Sequence, residues 1–262
     1  MLHGVSDLDA ARHSPHVAQK RRTRTRRILR AALEVVRVEG RNGLTLKRVA
    51  EQQGLTTAAL YRYFPSKDAL VAELQRAVIV ALAEVTRERV DSADKVAIAE
   101  GFDVEERALL AVVVSGYVFE EFSRRAPMEF GILSNDLSTP EYTLPDREAG
   151  MVFSAAWDAL SDLAVRLGQG EQCGVLCAGE SSERAVALWA GLQGVVQTRK
   201  LTRGSPGRID ATRVAKSLVS TLLIGWGAGS TKIQRVVQLV QKRELSSLVG
   251  ATLDLFDGPV DD

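Results

Sequence analysis

The chain has 262 residues, a formal net charge of +1 and an apolar content of 45%, which fits one or two domains and is enough for a folded core. It contains no apolar run close to the ~20 residues that a membrane-spanning helix needs. Its basic N-terminus also lacks the apolar segment of a secretory signal. We therefore expect a soluble, cytoplasmic protein that does not associate with membranes.

The small net charge conceals an uneven distribution. Residues 1–70 contain fourteen Lys and Arg against six Asp and Glu, whereas the rest of the chain contains twenty basic and twenty-seven acidic residues. A basic N-terminal segment followed by an acidic body indicates a polyanion-binding end.

The residues that most enzymes require are missing from the expected folded part of the chain. All three histidines (His3, His13 and His16) fall near the N-terminus, and neither a P-loop nor a dinucleotide-binding glycine motif is present. Cys173 and Cys177 are spaced to share a metal, but a zinc site needs about four ligands and no others are near. We expect no catalytic residue, no metal site and no cofactor.

Helical periodicity runs through almost the whole sequence and predicts an all-α fold. Residues 1–22 have little apolar content and are predicted to form a disordered basic arm. The first helix is predicted next, because apolar residues recur one, four, seven and eight positions after Ile28. These residues are Ile28, Leu29, Ala32, Val35 and Val36. Gly40 is predicted to end this helix.

Two short helices come next, separated by Gly54. Thr45 is predicted to cap the first of them, and Thr56 or Thr57 the second. Ala50 is small enough for the two helices to approach each other, while Gly54 supplies the turn. This arrangement is typical of a helix-turn-helix, although by itself it is a weak signal. Its basic surroundings strengthen it, because Lys20, Arg21, Arg22, Arg24, Arg26 and Arg27 precede it directly.

Beyond Pro65, Ser66 is predicted to cap a long helix running from Lys67 to about Val90. Further apolar helical stretches are predicted over residues 104–126, 147–167, 183–201, 210–226 and 231–255, with a frayed tail at 257–262.

The most specific feature of the sequence is the string from Leu60 to Leu70. It reads Leu-Tyr-Arg-Tyr-Phe-Pro-Ser-Lys-Asp-Ala-Leu, and together with the preceding helices it resembles the DNA-binding domain of the TetR family of transcriptional regulators. The resemblance extends from about Thr23 to Leu74 and is weak beyond. It implies a three-helix DNA-binding domain over residues 23–70, followed by a helical ligand-binding and dimerisation domain over residues 71–256.

The resemblance also implies which residues contact double-stranded DNA. Thr56, Thr57 and Ala58 match the base-contacting positions, while Thr45, Tyr61, Tyr63 and Lys67 match positions that hold phosphates. Lys47 or Arg48 matches a residue that sometimes reaches a guanine. Arg24 is one of the basic residues that directly precede the helix-turn-helix. The spacing of Tyr61 and Tyr63 excludes both from the face of Leu60 and Phe64, so at least one should point outward.

For the second domain the resemblance implies a homodimer and a small-molecule effector, mildly favoured to be apolar or amphipathic. Ala187, Ala190, Gly191 and Gly194 would permit close packing of helices across a two-fold axis. A ligand pocket is expected among the middle helices, where aromatic residues concentrate, namely Tyr117, Phe122, Phe130, Phe153 and Trp157. The expected function is a repressor released from a palindromic operator by its effector; the alternative is a constitutive, architectural DNA-binding dimer without a ligand.

Overall fold

The computed structural model describes residues 15–138, 144–199 and 210–249. All regular secondary structure in these ranges is helical, as predicted. Ten helices lie within them: α1 Pro15–Gly43, α2 Leu46–Gln52, α3 Thr57–Tyr61, α4 Lys67–Ala99, α5 Val104–Arg125, α6 Pro127–Ser138, α7 Asp146–Gln172, α8 Ser181–Gln197, α9 Ala211–Gly225 and α10 Ser230–Lys242.

The described residues divide into two compact units between Gln75 and Arg76. We call the described residues up to Gln75 the head and those from Arg76 onward the body. Helix α4 contributes its first residues to the head and the remainder to the body. No helix in the described residues combines the length and hydropathy needed to cross a membrane.

The head is built around the apolar residues that the periodicity selected. Ile28, Val49, Leu60 and Leu70 are completely buried, and Phe64 nearly so. Helix α2 packs on both α1 and α3, which holds the two short helices at a fixed angle. Gly54 adopts a left-handed backbone (φ 60°) in the turn between them, a conformation that favours glycine.

Helix α5 is the central element of the body. It packs against α6, α7, α8, α9 and α10, and most of its residues are buried. Asp103 begins it with a capping box: its carboxylate accepts from the Glu106 amide at 2.8 Å, and the Glu106 carboxylate accepts from the Asp103 amide at 3.0 Å.

Helix α10 is held at this same end of α5 by charged side chains. The Lys232 ammonium lies 3.0 Å from the Asp103 carboxylate, and the Arg235 guanidinium donates to Glu106 at 2.7 Å. The Arg235 guanidinium also lies over the ring of Phe102, 4.4 Å from its centroid. Since Glu106 is only 3% exposed, Arg235 supplies the counter-charge for a buried carboxylate.

Replacing Arg235 by Gln should therefore lower the free energy of unfolding by about 1–3 kcal/mol, because Glu106 loses a charged hydrogen-bonding partner. Urea denaturation at neutral pH measures the change. The matched control is Arg213→Gln, whose side chain is exposed. Equal stability of the two variants would mean that Arg235 does not hold α10.

The structure departs from the sequence-based expectations in several places. Helix α1 begins at Pro15, so residues 15–22 are helical and the expected disordered arm is wrong there, while residues 1–14 lie outside the described ranges. The predicted stop at Gly40 is confirmed, because its non-helical backbone (φ 72°) breaks α1 there and only Arg41 to Gly43 follow before the element ends. Helix α4 continues to Ala99, through a polar stretch that we expected to separate two helices.

Another departure is α6, which we did not predict. It begins with Pro127, a residue tolerated at a first helical position because the missing amide hydrogen has no acceptor there. Near the C-terminus, α10 ends at Lys242 and is followed by turns, so the predicted helix over 231–255 is shorter in its described part. The predicted tail, 257–262, lies outside the described residues.

Candidate DNA interface and ligand cavity

The helix-turn-helix is fixed by local side-chain caps. The Thr45 hydroxyl accepts from the Arg48 amide at 3.1 Å at the start of α2, and the Thr56 hydroxyl accepts from the Ala59 amide at 3.1 Å at the start of α3. The Ser66 hydroxyl accepts from the Ala69 amide at 3.0 Å as α4 begins. Of the two threonines considered for α3, Thr56 is therefore the cap.

The predicted base-contacting residues lie at the start of α3. Thr56 and Ala58 are exposed, whereas Thr57 is half-buried. Further along the same short helix, Leu60 is completely buried in the head and lies roughly opposite Ala58. The start of α3 thus presents small exposed side chains, and Leu60 anchors the helix in the head, as base contact in a major groove requires.

The candidate phosphate-contacting residues Tyr61, Tyr63 and Lys67 come next in the chain. Tyr61 is 52% exposed, an unusual fraction for a large aromatic residue, and Tyr63 is half-buried. This confirms that at least one of the two tyrosines points outward. Lys67, at the first position of α4, is exposed as well. Their hydroxyl and ammonium groups are donors of the kind that contact phosphate oxygens.

On α2 the two candidate basic residues differ in their surroundings. Lys47 is exposed, whereas the Arg48 guanidinium donates to Glu39 of α1 at 2.6 Å. That hydrogen bond, more than the Coulombic attraction of the same carboxylate, raises the pKa of Arg48. Arg48 therefore holds α2 against α1, which leaves Lys47 as the better candidate for DNA contact on this helix.

Helix α1 places a row of cations ahead of the helix-turn-helix. Lys20, Arg21, Arg22, Arg26 and Arg27 are exposed, and Arg24 is half-exposed. One further exposed cation was not predicted: Arg62, the C-cap of α3, lies between the two tyrosines. It could have been predicted from its position, because it is four residues beyond Ala58 and hence close to the same helical face.

The body contains a partly enclosed apolar cavity of about 130 Å³. Its walls come from α4, α5, α6, α7 and α8. Most lining side chains are aliphatic, including Ile79 and Leu82 of α4, Leu133 of α6 and Leu163 of α7. Gly116 of α5 also lies in the wall, and any Cβ there would approach Val219 to 2.8 Å.

The five aromatic residues predicted to line a pocket are not among the residues around this cavity. Tyr117 is buried against α9, where the Lys216 ammonium lies 5.3 Å over its ring. Burial raises the pKa of Tyr117 to about 12, an effect that the Ser220 hydroxyl partly offsets.

The other four occupy different surroundings. Phe122 and Phe130 are buried with ring centroids 6.2 Å apart, Phe153 is half-buried, and Trp157 is 57% exposed. Instead, the aromatic residues in the cavity wall are Phe119 and Trp189.

A second surface feature of the body is an exposed face shared by α8 and α9, which pack together. On α8 three small exposed residues recur at helical spacing: Ala187, Ala190 and Gly194. Gly191, which we had grouped with them, is needed within the chain, since a Cβ there would lie 2.8 Å from Leu218 of α9. On α9 the apolar Val214 and Ile224 are exposed.

Comparisons with known proteins agree with this division. Residues 28–74 match the sequence profile described as "Bacterial regulatory proteins, tetR family". An uncharacterized HTH-type transcriptional regulator from Xanthobacter autotrophicus, encoded in the dhlA 5' region, is 37% identical over 60 residues. That alignment spans 23% of this chain and only 30% of the relative's length.

Solved structures extend the likeness in fold to the body. Thermus thermophilus FadR, a TetR family repressor in complex with lauroyl-CoA, is 19% identical with a TM-score of 0.55, covering 77% of this chain and 94% of its own. Bacillus subtilis FadR in complex with stearoyl-CoA is 16% identical with a TM-score of 0.54, covering 76% and 97%. At these identities the two structures show that the fold is shared.

Proposed function

We propose that this chain, a TetR family transcriptional regulator by its helix-turn-helix and by the fold of its body, is a homodimeric repressor. In this proposal it binds a palindromic operator and leaves it when a small apolar or amphipathic molecule occupies the cavity of the body. The observation that carries the proposal is the exposed row formed by Thr56, Ala58, Tyr61 and Lys67 on a helix-turn-helix whose inner residues Val49 and Leu60 are completely buried.

Within this row we assign different roles to different side chains. Tyr61 and Lys67 bind phosphates, which fixes the position of the head on the duplex without selecting a sequence. Thr56, Thr57 and Ala58 contact base edges, where hydroxyls accept or donate hydrogen bonds and methyl groups touch thymine methyls. The Thr56 hydroxyl already accepts from the Ala59 amide, so it has its O–H donor and one further lone pair to offer a base.

Replacing Lys67 by Ala should weaken binding to every duplex and lower the slope of log affinity against log salt by about one, because one phosphate contact and its released counterion are lost. Fluorescence anisotropy with a short labelled duplex, repeated over a range of salt concentrations, measures both quantities. Lys95→Ala is the control, since Lys95 is an exposed lysine of the body. An unchanged affinity and slope for Lys67→Ala would remove Lys67 from the interface.

Dimerisation is assigned to the exposed face of α8 and α9. A soluble chain gains free energy when exposed apolar groups such as Val214 and Ile224 are removed from water. The small residues Ala187, Ala190 and Gly194 allow a second copy of the helix pair to approach closely. Two-fold symmetry would then place one head in each of two major grooves about 34–36 Å apart.

The effector site is assigned to the apolar cavity. The two FadR proteins of the same fold are complexes with lauroyl-CoA and stearoyl-CoA, which supports an effector with an extended apolar part. Helix α4 links the two activities, because it begins with Lys67 and supplies Ile79, Leu82 and Thr86 to the cavity wall. An effector that binds only one position of α4 shifts the population toward that position and away from DNA.

A further inference from the structure

The polar groups of the cavity wall narrow the chemistry of the effector. Most of the wall is aliphatic, so the few polar side chains determine which functional group a bound molecule carries. They are Thr86, Ser115, Asp162, Arg166 and Trp189.

Two of these groups are hydroxyls that already donate within their own helices. Thr86 donates to the Leu82 carbonyl at 2.7 Å, and Ser115 donates to the Ala111 carbonyl at 2.7 Å. The carboxylate of Asp162 is also engaged, since the Arg87 guanidinium donates to it at 2.8 Å. Arg87 thereby supplies the counter-charge for the one carboxylate among the residues described in the wall.

Arg166 differs from Thr86, Ser115 and Asp162, whose polar groups already have partners. Within the described part of the chain its guanidinium has no hydrogen-bonding partner, although it lies in the cavity wall. Burial lowers the pKa of Arg166, and the charges of Asp162 and Asp91 partly offset this effect. The side chain remains cationic, because arginine stays protonated in proteins. A half-buried guanidinium therefore offers its donors to whatever occupies the cavity.

Trp189 adds a second donor of the same kind. Its indole N–H can only donate, Trp189 lines the cavity, and this N–H makes no hydrogen bond within the described residues. The wall thus combines an aliphatic surface with two unused donors, one of them charged, and its carboxylate is already paired. An uncharged apolar ligand would leave the guanidinium desolvated and without a partner, which costs free energy.

We infer that the effector is an apolar molecule ending in a carboxylate, and that Arg166 binds this carboxylate in the cavity of the body. Planar guanidinium and carboxylate groups form paired hydrogen bonds, which gives the contact directional specificity. Asp162 opposes an anion at this site, and its pairing with Arg87 reduces that opposition. The inference rests on the proposed function, in which this cavity is the effector site.

Straight-chain carboxylates from octanoate to dodecanoate, each compared with the alcohol of the same chain length, test the inference by isothermal titration calorimetry. The intact protein should bind the carboxylate at least about tenfold more tightly than the alcohol. Arg166→Gln should bring the two affinities close together by weakening only the carboxylate. Arg166→Lys, which keeps the charge, should retain part of the preference, and Arg147→Gln, an exposed arginine of the same helix, should retain all of it.

Each other outcome decides against the inference. Equal binding of carboxylate and alcohol to the intact protein, or a preference that survives Arg166→Gln, shows that Arg166 does not anchor the ligand while the cavity remains a ligand site. Binding of lauroyl-CoA without dodecanoate binding shows that the ligand is not a free carboxylate. If none of these molecules binds, the inference fails, and DNA binding by the same preparation decides separately whether the regulator proposal stands.

Discussion

Replacing Ile224 by Glu should convert the protein to a monomer and lower its affinity for a two-site operator about a hundredfold or more. A carboxylate on the exposed face of α8 and α9 has to be desolvated, or to face its symmetry-related copy, when two chains pair. Once separated, each head binds its half-site alone and loses the high effective concentration that the partner head provides. Analytical ultracentrifugation gives the oligomeric state, and anisotropy with the operator gives the affinity.

The control for this variant is Ile98→Glu. Ile98 is 55% exposed and Ile224 is 45% exposed, so the two changes have similar direct effects on folding. Ile98 lies near the end of α4, away from the α8 and α9 face in sequence. A dimeric Ile224→Glu protein with unchanged operator affinity would show that the chain pairs through a different surface.

Filling the cavity should abolish the response to the effector while leaving DNA binding intact. Ala156 of α7 lines the cavity, and Phe at this position would occupy volume that the ligand needs. The added side chain contacts aliphatic walls, so the expected loss of stability is at most about 1–3 kcal/mol. An effector that releases the normal protein from its operator should then fail to release Ala156→Phe at any concentration tested.

Ser154→Phe is the matched control, since Ser154 is an exposed residue on the same helix. Its effector response should equal that of the unaltered protein. If Ala156→Phe were still released normally, the effector would bind elsewhere. If no small molecule altered DNA binding by the unaltered protein, a constitutive DNA-binding dimer would account for the observations better.

The head could be predicted from its sequence because its structure depends on short-range interactions. The caps formed by Thr45, Thr56 and Ser66 each join residues three positions apart, so the sequence displays both partners. Gly54 marked the turn for a similar reason, since few other residues adopt its backbone conformation. The involvement of Arg48 with Glu39 escaped prediction because it joins two helices nine positions apart.

The body was harder to predict because its site depends on how several helices pack. Tyr117 and Phe119 are separated by two positions on α5, yet the first packs against α9 and the second lines the cavity. Aromatic content alone could not distinguish them, since both faces of α5 meet other helices. Arg166 was not predicted to line the cavity, because a charged residue on an amphipathic helix is most simply expected in solvent.

The continuation of α4 beyond Val90 could have been predicted from the spacing of its alanines, although the segment is polar. Ala93 and Ala97 are completely buried and four positions apart, as one helical face requires. Asp94, between them, pairs with Arg107 of α5 at 2.7 Å, so a polar residue here serves the contact between helices. The charged composition of residues 91–99 therefore indicated pairing with a neighbouring helix, and the connection to α5 begins only after Ala99.

Selection of bound sequences from a pool of random duplexes tests whether the chain is a homodimer that binds a palindrome, and it requires neither a known operator nor a known effector. We expect enrichment of one sequence made of two inverted half-sites, with centres about one turn of DNA apart. Lys67→Ala should weaken binding without changing the enriched sequence. A pool with no enriched sequence, or with a single half-site that lacks symmetry, would contradict a homodimer that binds a palindromic operator.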